Sequence, residues 1–239
     1  MRRLWQRIRD KIQKKRHLRY RYQVEKHYSD PEVNAAILLE FRRLYYYTHE
    51  TTWRNTFWLG HHVLKCPLDL WIYQEIMAEV RPDIIIETGT YLGGSALFFA
   101  HLCDLLGKGR VLTIDIKQKD ALPRHPRIEY LLGSSTAPAI VGRVKSAIKP
   151  GDTIMAVLDS NHTRDHVLAE LNLYSPLITP GSYIIVEDTV VREMNPYFGP
   201  GPREAVEEFL RVQPNFVADD KREKFLITFN AKGYLKRVV

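Results

Sequence analysis

The chain has 239 residues, 45% of them hydrophobic, with 13 glycines and 13 prolines, which suits one soluble α/β core with an appended N-terminal segment. No apolar run approaches the roughly 18 residues of a membrane span, and the basic N-terminus leads into neither an apolar stretch nor a small-residue cleavage site, so no secretory leader is expected. The net charge of +7 is uneven: residues 1–24 carry ten Arg and Lys against Asp10 alone, a local +9, which leaves −2 for the remainder and argues against a nucleic-acid-binding body.

Three zones follow in chain order: a basic arm (1–24), a helical, aromatic-rich segment (25–80) and an α/β body (81–239). In the arm, Leu4, Trp5, Ile8 and Ile12 share one face of a helical wheel, while Lys15, Arg16 and Arg19 end the stripe. A short basic amphipathic helix suits an anionic membrane surface; a solvated charged tail is the competing reading, and RNA is the least favoured. The middle zone holds Tyr45, Tyr46, Tyr47, Trp53, Trp58 and Trp71, with helical spacing over 35–46 and 68–80. Cys66 and Cys103 make no disulfide framework, and Cys103, amid Leu102, Leu105 and Leu106, reads as a buried small hydrophobe. The expected location is a reducing cytoplasm, with the arm at the inner face of the cytoplasmic membrane.

From Asp83 onward short apolar runs alternate with helix-length stretches, the pattern of a parallel sheet with helices on both faces. The runs are 84–86, 111–114, 128–131, 154–158 and 183–186. One helix opens at Gly94-Ser95 and stops at Gly107; another spans Thr163 to Tyr174, with Val167, Leu168, Leu171 and Tyr174 on one face. Runs at 216–218 and 225–229, around the charged turn 219–223, predict a terminal antiparallel hairpin. Five parallel strands and a hairpin make the seven-stranded, Rossmann-like pattern of class I methyltransferases.

Ligands of open α/β sheets sit beyond the carboxyl ends of the strands. The first strand ends Glu87-Thr88-Gly89-Thr90-Tyr91-Leu92-Gly93-Gly94-Ser95, and the second ends in Asp115, placed to bind ribose hydroxyls. A dinucleotide site would want G-x-G-x-x-G, whereas Gly89, Gly93 and Gly94 spell G-x-x-x-G-G. Glu87 would repel a pyrophosphate but suits a cationic sulfonium, so S-adenosylmethionine is favoured over NAD. Gly133-Ser134-Ser135 is either an adenine-side loop or an ordinary turn.

Asp159 closes the fourth strand, and Glu187 and Asp188 close the fifth. Three carboxylates on adjacent strand ends would repel one another without a cation, and all-oxygen ligation is what Mg²⁺ or Mn²⁺ prefers. Glu187 and Asp188 are consecutive, so the chain must turn there for both to ligate. His162, three residues after Asp159, is placed to take a proton from a substrate hydroxyl; His166 competes for the role but reads more simply as a cap or surface residue. Asn195-Pro196-Tyr197 is similar to an N-methyltransferase motif but follows the fifth strand instead of the fourth.

Lys65-Cys66-Pro67-Leu68-Asp69-Leu70-Trp71, residues 81–95, Val157-Leu158-Asp159-Ser160-Asn161-His162, residues 180–188 and Gly199-Pro200-Gly201-Pro202 together resemble the rhamnosyl O-methyltransferase / cephalosporin hydroxylase family. The resemblance covers about residues 50–235. It implies methylation of sugars or secondary metabolites, Asp159, Glu187 and Asp188 as Mg²⁺ ligands, and His162 as base. It also implies that Glu87, Gly89, Ser95 and Asp115 contact S-adenosylmethionine and that the protein oligomerises. No 2-His-1-carboxylate set supports the hydroxylase part of the family name. The resulting expectation is a Mg²⁺-assisted O-methyltransferase of a saccharide hydroxyl, with Glu87, Gly89, Gly94, Ser95, Asp115, Ser134, Ser135 and Asp159 around the cofactor. Trp53, Trp58 and the loop 189–202 are candidate acceptor walls, the two tryptophans equally readable as core. The alternatives are a polyketide or phenolic acceptor, or a non-catalytic protein that docks on membrane or RNA.

Overall fold

The computed structural model describes residues 2–239; the side chains of residues 2–5, 7 and 8 lie outside the description. Two compact units are present, one ending at Leu44 and the other running Tyr45–Val239. This is a different cut from the composition boundaries at 24 and 80. In the first unit, helix α1 (Arg2–Tyr28) runs straight through residue 24, because no Gly or Pro interrupts it. From residue 9 onward its side chains are exposed, except for half-buried Val24. Of the apolar stripe read from the sequence, Leu4, Trp5 and Ile8 fall among the undescribed side chains, and Ile12 is exposed. Helix α2 (Pro31–Tyr47) opens on Asp30, whose Oδ1 accepts from the Glu32 amide, with Pro31 at the first position, where its missing N–H costs nothing.

The second unit begins with a two-stranded ribbon, β1 (Phe57–Trp58) and β2 (His61–His62), closed by Leu59-Gly60, both at positive φ as a tight hairpin turn requires. Then come α3 (Pro67–Val80), β3 (Ile84–Thr88), α4 (Gly94–Leu106), β4 (Arg110–Asp115), β5 (Ile128–Leu132), α5 (Pro138–Ala147), β6 (Ile154–Leu158), α6 (Arg164–Tyr174), β7 (Tyr183–Val186), α7 (Val191–Met194), α8 (Pro202–Val212), β8 (Phe216–Ala218) and β9 (Tyr234–Arg237). The main sheet has the order β5-β4-β3-β6-β7-β9-β8, parallel except for β9, which runs antiparallel to both neighbours. Alternation along each strand supplies two cores. Ile84, Ile86, Ala156 and Leu158 pack on one face under α5, α6 and α8, while Ile85, Met155 and Val157 pack on the other under α3 and α4.

The five parallel strands, the stop of α4 at Gly107 (φ +72) and the buried Cys103 agree with the sequence expectations. The terminal antiparallel hairpin also forms, with its first strand at Phe216–Ala218 as expected, but its second strand is Tyr234–Arg237, and residues 225–229 form an irregular segment. The cause is buried Asp69 on α3, whose carboxylate accepts from Thr228 Oγ1 (2.5 Å), the Phe229 amide (3.0 Å) and Tyr234 Oη (2.8 Å). Those bonds turn 228–229 away from the sheet, and Leu226 at φ +66 is incompatible with a strand. Helices α5 and α8 went unread because each begins in a Pro- and Gly-containing stretch that looks like loop.

Asp69→Ala leaves three buried donors without their acceptor. It should lower stability by about 3 kcal/mol or more, measured by urea unfolding, with Asp69→Asn losing less.

Candidate active site

The strand order reverses between β3 and β6, so their carboxyl ends open the crevice of the fold. Backbones meet closely there. Gly89 sits at φ +93, and a Cβ on it would lie 1.9 Å from the carbonyl oxygen of Asp159. A Cβ on Gly94 would lie 1.8 Å from the carbonyl oxygen of His62. Only glycine lets the loop lie flat against both neighbours.

Glu87 is fully buried at the end of β3. One carboxylate oxygen accepts from Thr113 Oγ1 at 2.6 Å, and the other, Oε1, is buried and has no hydrogen-bond partner of good geometry among the described residues, although the Ser95 hydroxyl is near enough to favour the charged form. Burial pushes this carboxyl above its ordinary range, against the pull of the Lys65 charge. Ser95 is buried in the first turn of α4. Asp115 ends β4, with its two oxygens accepting from the amides of Tyr91 and Lys117, both at 2.8 Å. A small cavity of about 200 Å³ beside Asp115 is lined by Gly89, Ser134, Ser135 and His166. His166 there approaches Ser135 Oγ at 3.2 Å and Glu170 at 3.4 Å, away from the acids at the ends of β6 and β7.

At the other end of the crevice His162 Nε2 lies 3.1 Å from Asp159 Oδ1 and 3.5 Å from Asp188 Oδ2. The chain does turn between the two consecutive acids: β7 ends at Val186 and Asp188 adopts φ +56, with its amide donating to Asn230 Oδ1 at 3.2 Å. That turn aims Asp188 at His162 but leaves Glu187 buried beneath. Asp159, His162 and Asp188 place ligand atoms within 4.8 Å of one another; among the described residues Glu187 does not join that group. Its carboxylate instead meets Lys65 Nζ at 2.5 Å, and the same ammonium stands 2.8 Å from Asp159 Oδ2.

Burial works against the charge on Lys65, but Asp159 and Glu187 in contact outweigh it and hold the ammonium well above its ordinary value. Asp159 is likewise held down, against burial, by Lys65 and His162. For His162 burial opposes protonation, yet Asp188 and Asp159 push the imidazole up to about 9. The proton on His162 supplies positive charge that these two acids demand.

A cavity of about 480 Å³ joins the two ends, touching Gly89, Ser95 and Asp115 on one side and Asp159, His162 and Asp188 on the other. Tyr46 and Trp53 also line it, their rings stacked at 5.8 Å and 19°. Trp58 does not: it packs edge-on against Phe98, with its Nε1 donating to His101 Nδ1 at 2.9 Å. Sequence reasoning named Lys65 within a motif but gave it no role, since a lone lysine ordinarily reads as surface. Tyr46 went unassigned for want of any signal separating it from Tyr45 and Tyr47.

The strand order, the glycine loop after β3 and the acids after β4, β6 and β7 define a class I methyltransferase fold. A solved apo structure of CmcI shares it over 78% of this chain and 77% of its own, at TM-score 0.62 and 21% identity. A CmcI structure with Mg and SAM gives TM-score 0.60 and 20% identity over 78% of each chain. The family model for rhamnosyl O-methyltransferase/CmcI matches residues 50–238, and the chain belongs to that family. The rhamnosyl O-methyltransferase of Mycobacterium leprae is 40% identical over 211 residues, 84% of this chain and 91% of the relative. That of Mycobacterium tuberculosis is 39% identical over 213 residues, covering 84% and 85%.

Proposed function

We propose that the protein is an S-adenosylmethionine- and Mg²⁺-dependent O-methyltransferase acting on a sugar hydroxyl. One observation carries the reading: a single cavity joins the glycine loop and Asp115 to the cluster of Asp159, His162 and Asp188. The orphaned, buried oxygen of Glu87 fits a cationic partner such as the methionine moiety of the cofactor. Asp115 keeps lone pairs for the ribose hydroxyls, and the Ser134-Ser135 loop borders the small cavity that suits the adenine. Asp159 and Asp188 offer the hard oxygen donors that Mg²⁺ takes, and Glu187 is a third carboxylate held beside them by Lys65. When bound, the ion would act as a Lewis acid that lowers the pKa of the acceptor hydroxyl, and the cofactor would supply the methyl group.

His162 stands beside both acids, which orient the imidazole; once a divalent cation supplied the positive charge that the His162 proton supplies in its absence, the neutral ring would be placed to accept the proton of the acceptor hydroxyl. Enclosure in one cavity would align acceptor and methyl donor, converting a bimolecular encounter into an oriented transfer. The aromatic side chains of Tyr46 and Trp53 in the cavity wall suit the apolar face of a sugar ring. A saccharide acceptor is further supported by the names of the relatives, which methylate rhamnosyl groups.

No helix among the described residues is long and apolar enough to cross a membrane. We assign the basic helix α1, exposed from residue 9 onward except at half-buried Val24, to peripheral contact with anionic lipid at the inner face of the cytoplasmic membrane, where each Lys or Arg contributes about 1 kcal/mol.

Incubation with S-adenosylmethionine and rhamnosylated glycolipid should add 14 mass units per methyl, a gain of about one CH₂ in mass spectrometry; chelator should abolish it and Mg²⁺ restore it. Full methylation in excess chelator would refute the metal reading. His162→Ala should lower turnover roughly 10²–10⁴-fold with cofactor affinity near wild type, whereas His166→Ala should not reproduce that pattern. The full chain should co-sediment with anionic liposomes at low salt and be released at high salt, while a chain lacking residues 1–24 stays in solution. Equal behaviour of the two would exclude the lipid contact.

A further inference from the structure

Lys65 reaches the site from the segment between β2 and α3, and that segment leaves it little freedom. Leu64 adopts φ +56, Val63 donates its amide to Thr56 O at 3.0 Å, and Cys66, next in the chain, is buried at the start of α3. The Lys65 side chain is only 2% exposed. An ammonium in such a place costs several kcal/mol unless paired, and here two carboxylates in contact compensate it. Asp159 is divided between two partners: Oδ2 faces Lys65, and Oδ1 faces His162 in the cluster with Asp188. Glu187, although adjacent to Asp188 in the chain, gives its carboxylate to Lys65 instead of to that cluster.

We infer that Lys65 is a built-in counter-charge that competes with the divalent cation for Asp159 and Glu187. It holds the converging acids together in the metal-free protein, and it weakens metal binding by the same charge. The inference rests on the metal reading of this site and adds a positioning residue to it. Two consequences of opposite sign follow from one substitution. Without the lysine charge, the metal-free fold must tolerate unpaired buried carboxylates and becomes less stable, while the more negative site attracts a divalent cation more strongly. A lysine that merely filled space would produce the first effect without the second.

The test uses the full chain as wild type, Lys65→Met and Lys65→Met/Glu187→Gln. Mn²⁺ affinity is read by electron paramagnetic resonance, and Tm is read in chelator and in saturating Mg²⁺. Lys65→Met should bind Mn²⁺ at least tenfold more tightly than wild type. Its Tm in chelator should fall below wild type, and Mg²⁺ should recover most of the loss. Adding Glu187→Gln removes the stranded carboxylate and should return the chelator Tm toward wild type. Unchanged or weaker Mn²⁺ affinity in Lys65→Met overturns the inference, as does a Tm loss that neither Mg²⁺ nor Glu187→Gln recovers. Absence of Mn²⁺ binding to wild type and Lys65→Met alike overturns it together with the metal reading. Failure to methylate sugars with this binding pattern intact counts against the proposed acceptor alone.

Discussion

Compensation of buried negative charge governs how this crevice is built. Glu87, Asp159, Glu187 and Asp188 stand on neighbouring strand ends, and two of them, Glu87 and Glu187, are almost wholly removed from water. Carboxylates so placed repel one another and lose hydration, a cost that only opposite charge and directed hydrogen bonds offset. The chain meets the demand with Lys65 between Asp159 and Glu187, a proton on His162 facing Asp159 and Asp188, and the Thr113 hydroxyl on Glu87. Among the described residues, the Glu87 Oε1 atom is where that compensation stops. A site that is incompletely balanced by its own residues is one prepared for a cationic ligand.

The backbone makes this convergence possible. Reversal of strand order between β3 and β6 leaves a gap where two connecting loops diverge, and the loop after β3 fits it because Gly89 and Gly94 carry no side chain. The cavity above is bordered by the glycine loop on one side and by Asp159, His162 and Asp188 on the other, with Tyr46 and Trp53 also in its wall.

The C-terminal segment ties the acidic wall to the rest of the fold. Asp69 on α3 grips residues 228 and 229, and Asn230 just beyond accepts from the Asp188 amide while donating to Tyr73 Oη at 2.8 Å. Asp188 is thus held in its left-handed conformation by a buried network that reaches helix α3. A non-glycine residue at positive φ carries a cost, and here the surrounding hydrogen bonds sustain it.

By itself the sequence determined the sheet and the placement of chemistry along it. Hydrophobic runs separated by turns marked all five parallel strands; burial on both faces makes the runs of β6 and β7 continuous, while the edge strand β5 carries exposed Glu129 and Leu132. Acids and glycines at their carboxyl ends identified the crevice, because that end faces ligand in any open α/β sheet. Tertiary structure alone decided which side chains meet. The turn at Asp188 separated it from Glu187, the proximity of residues 65, 159 and 187 created the buried ion pairs, and Asp69 diverted 225–229 from the strand its composition favoured. Periodicity reports which face of an element is buried, but contacts between residues 94 or 160 positions apart depend on packing, which no local pattern encodes.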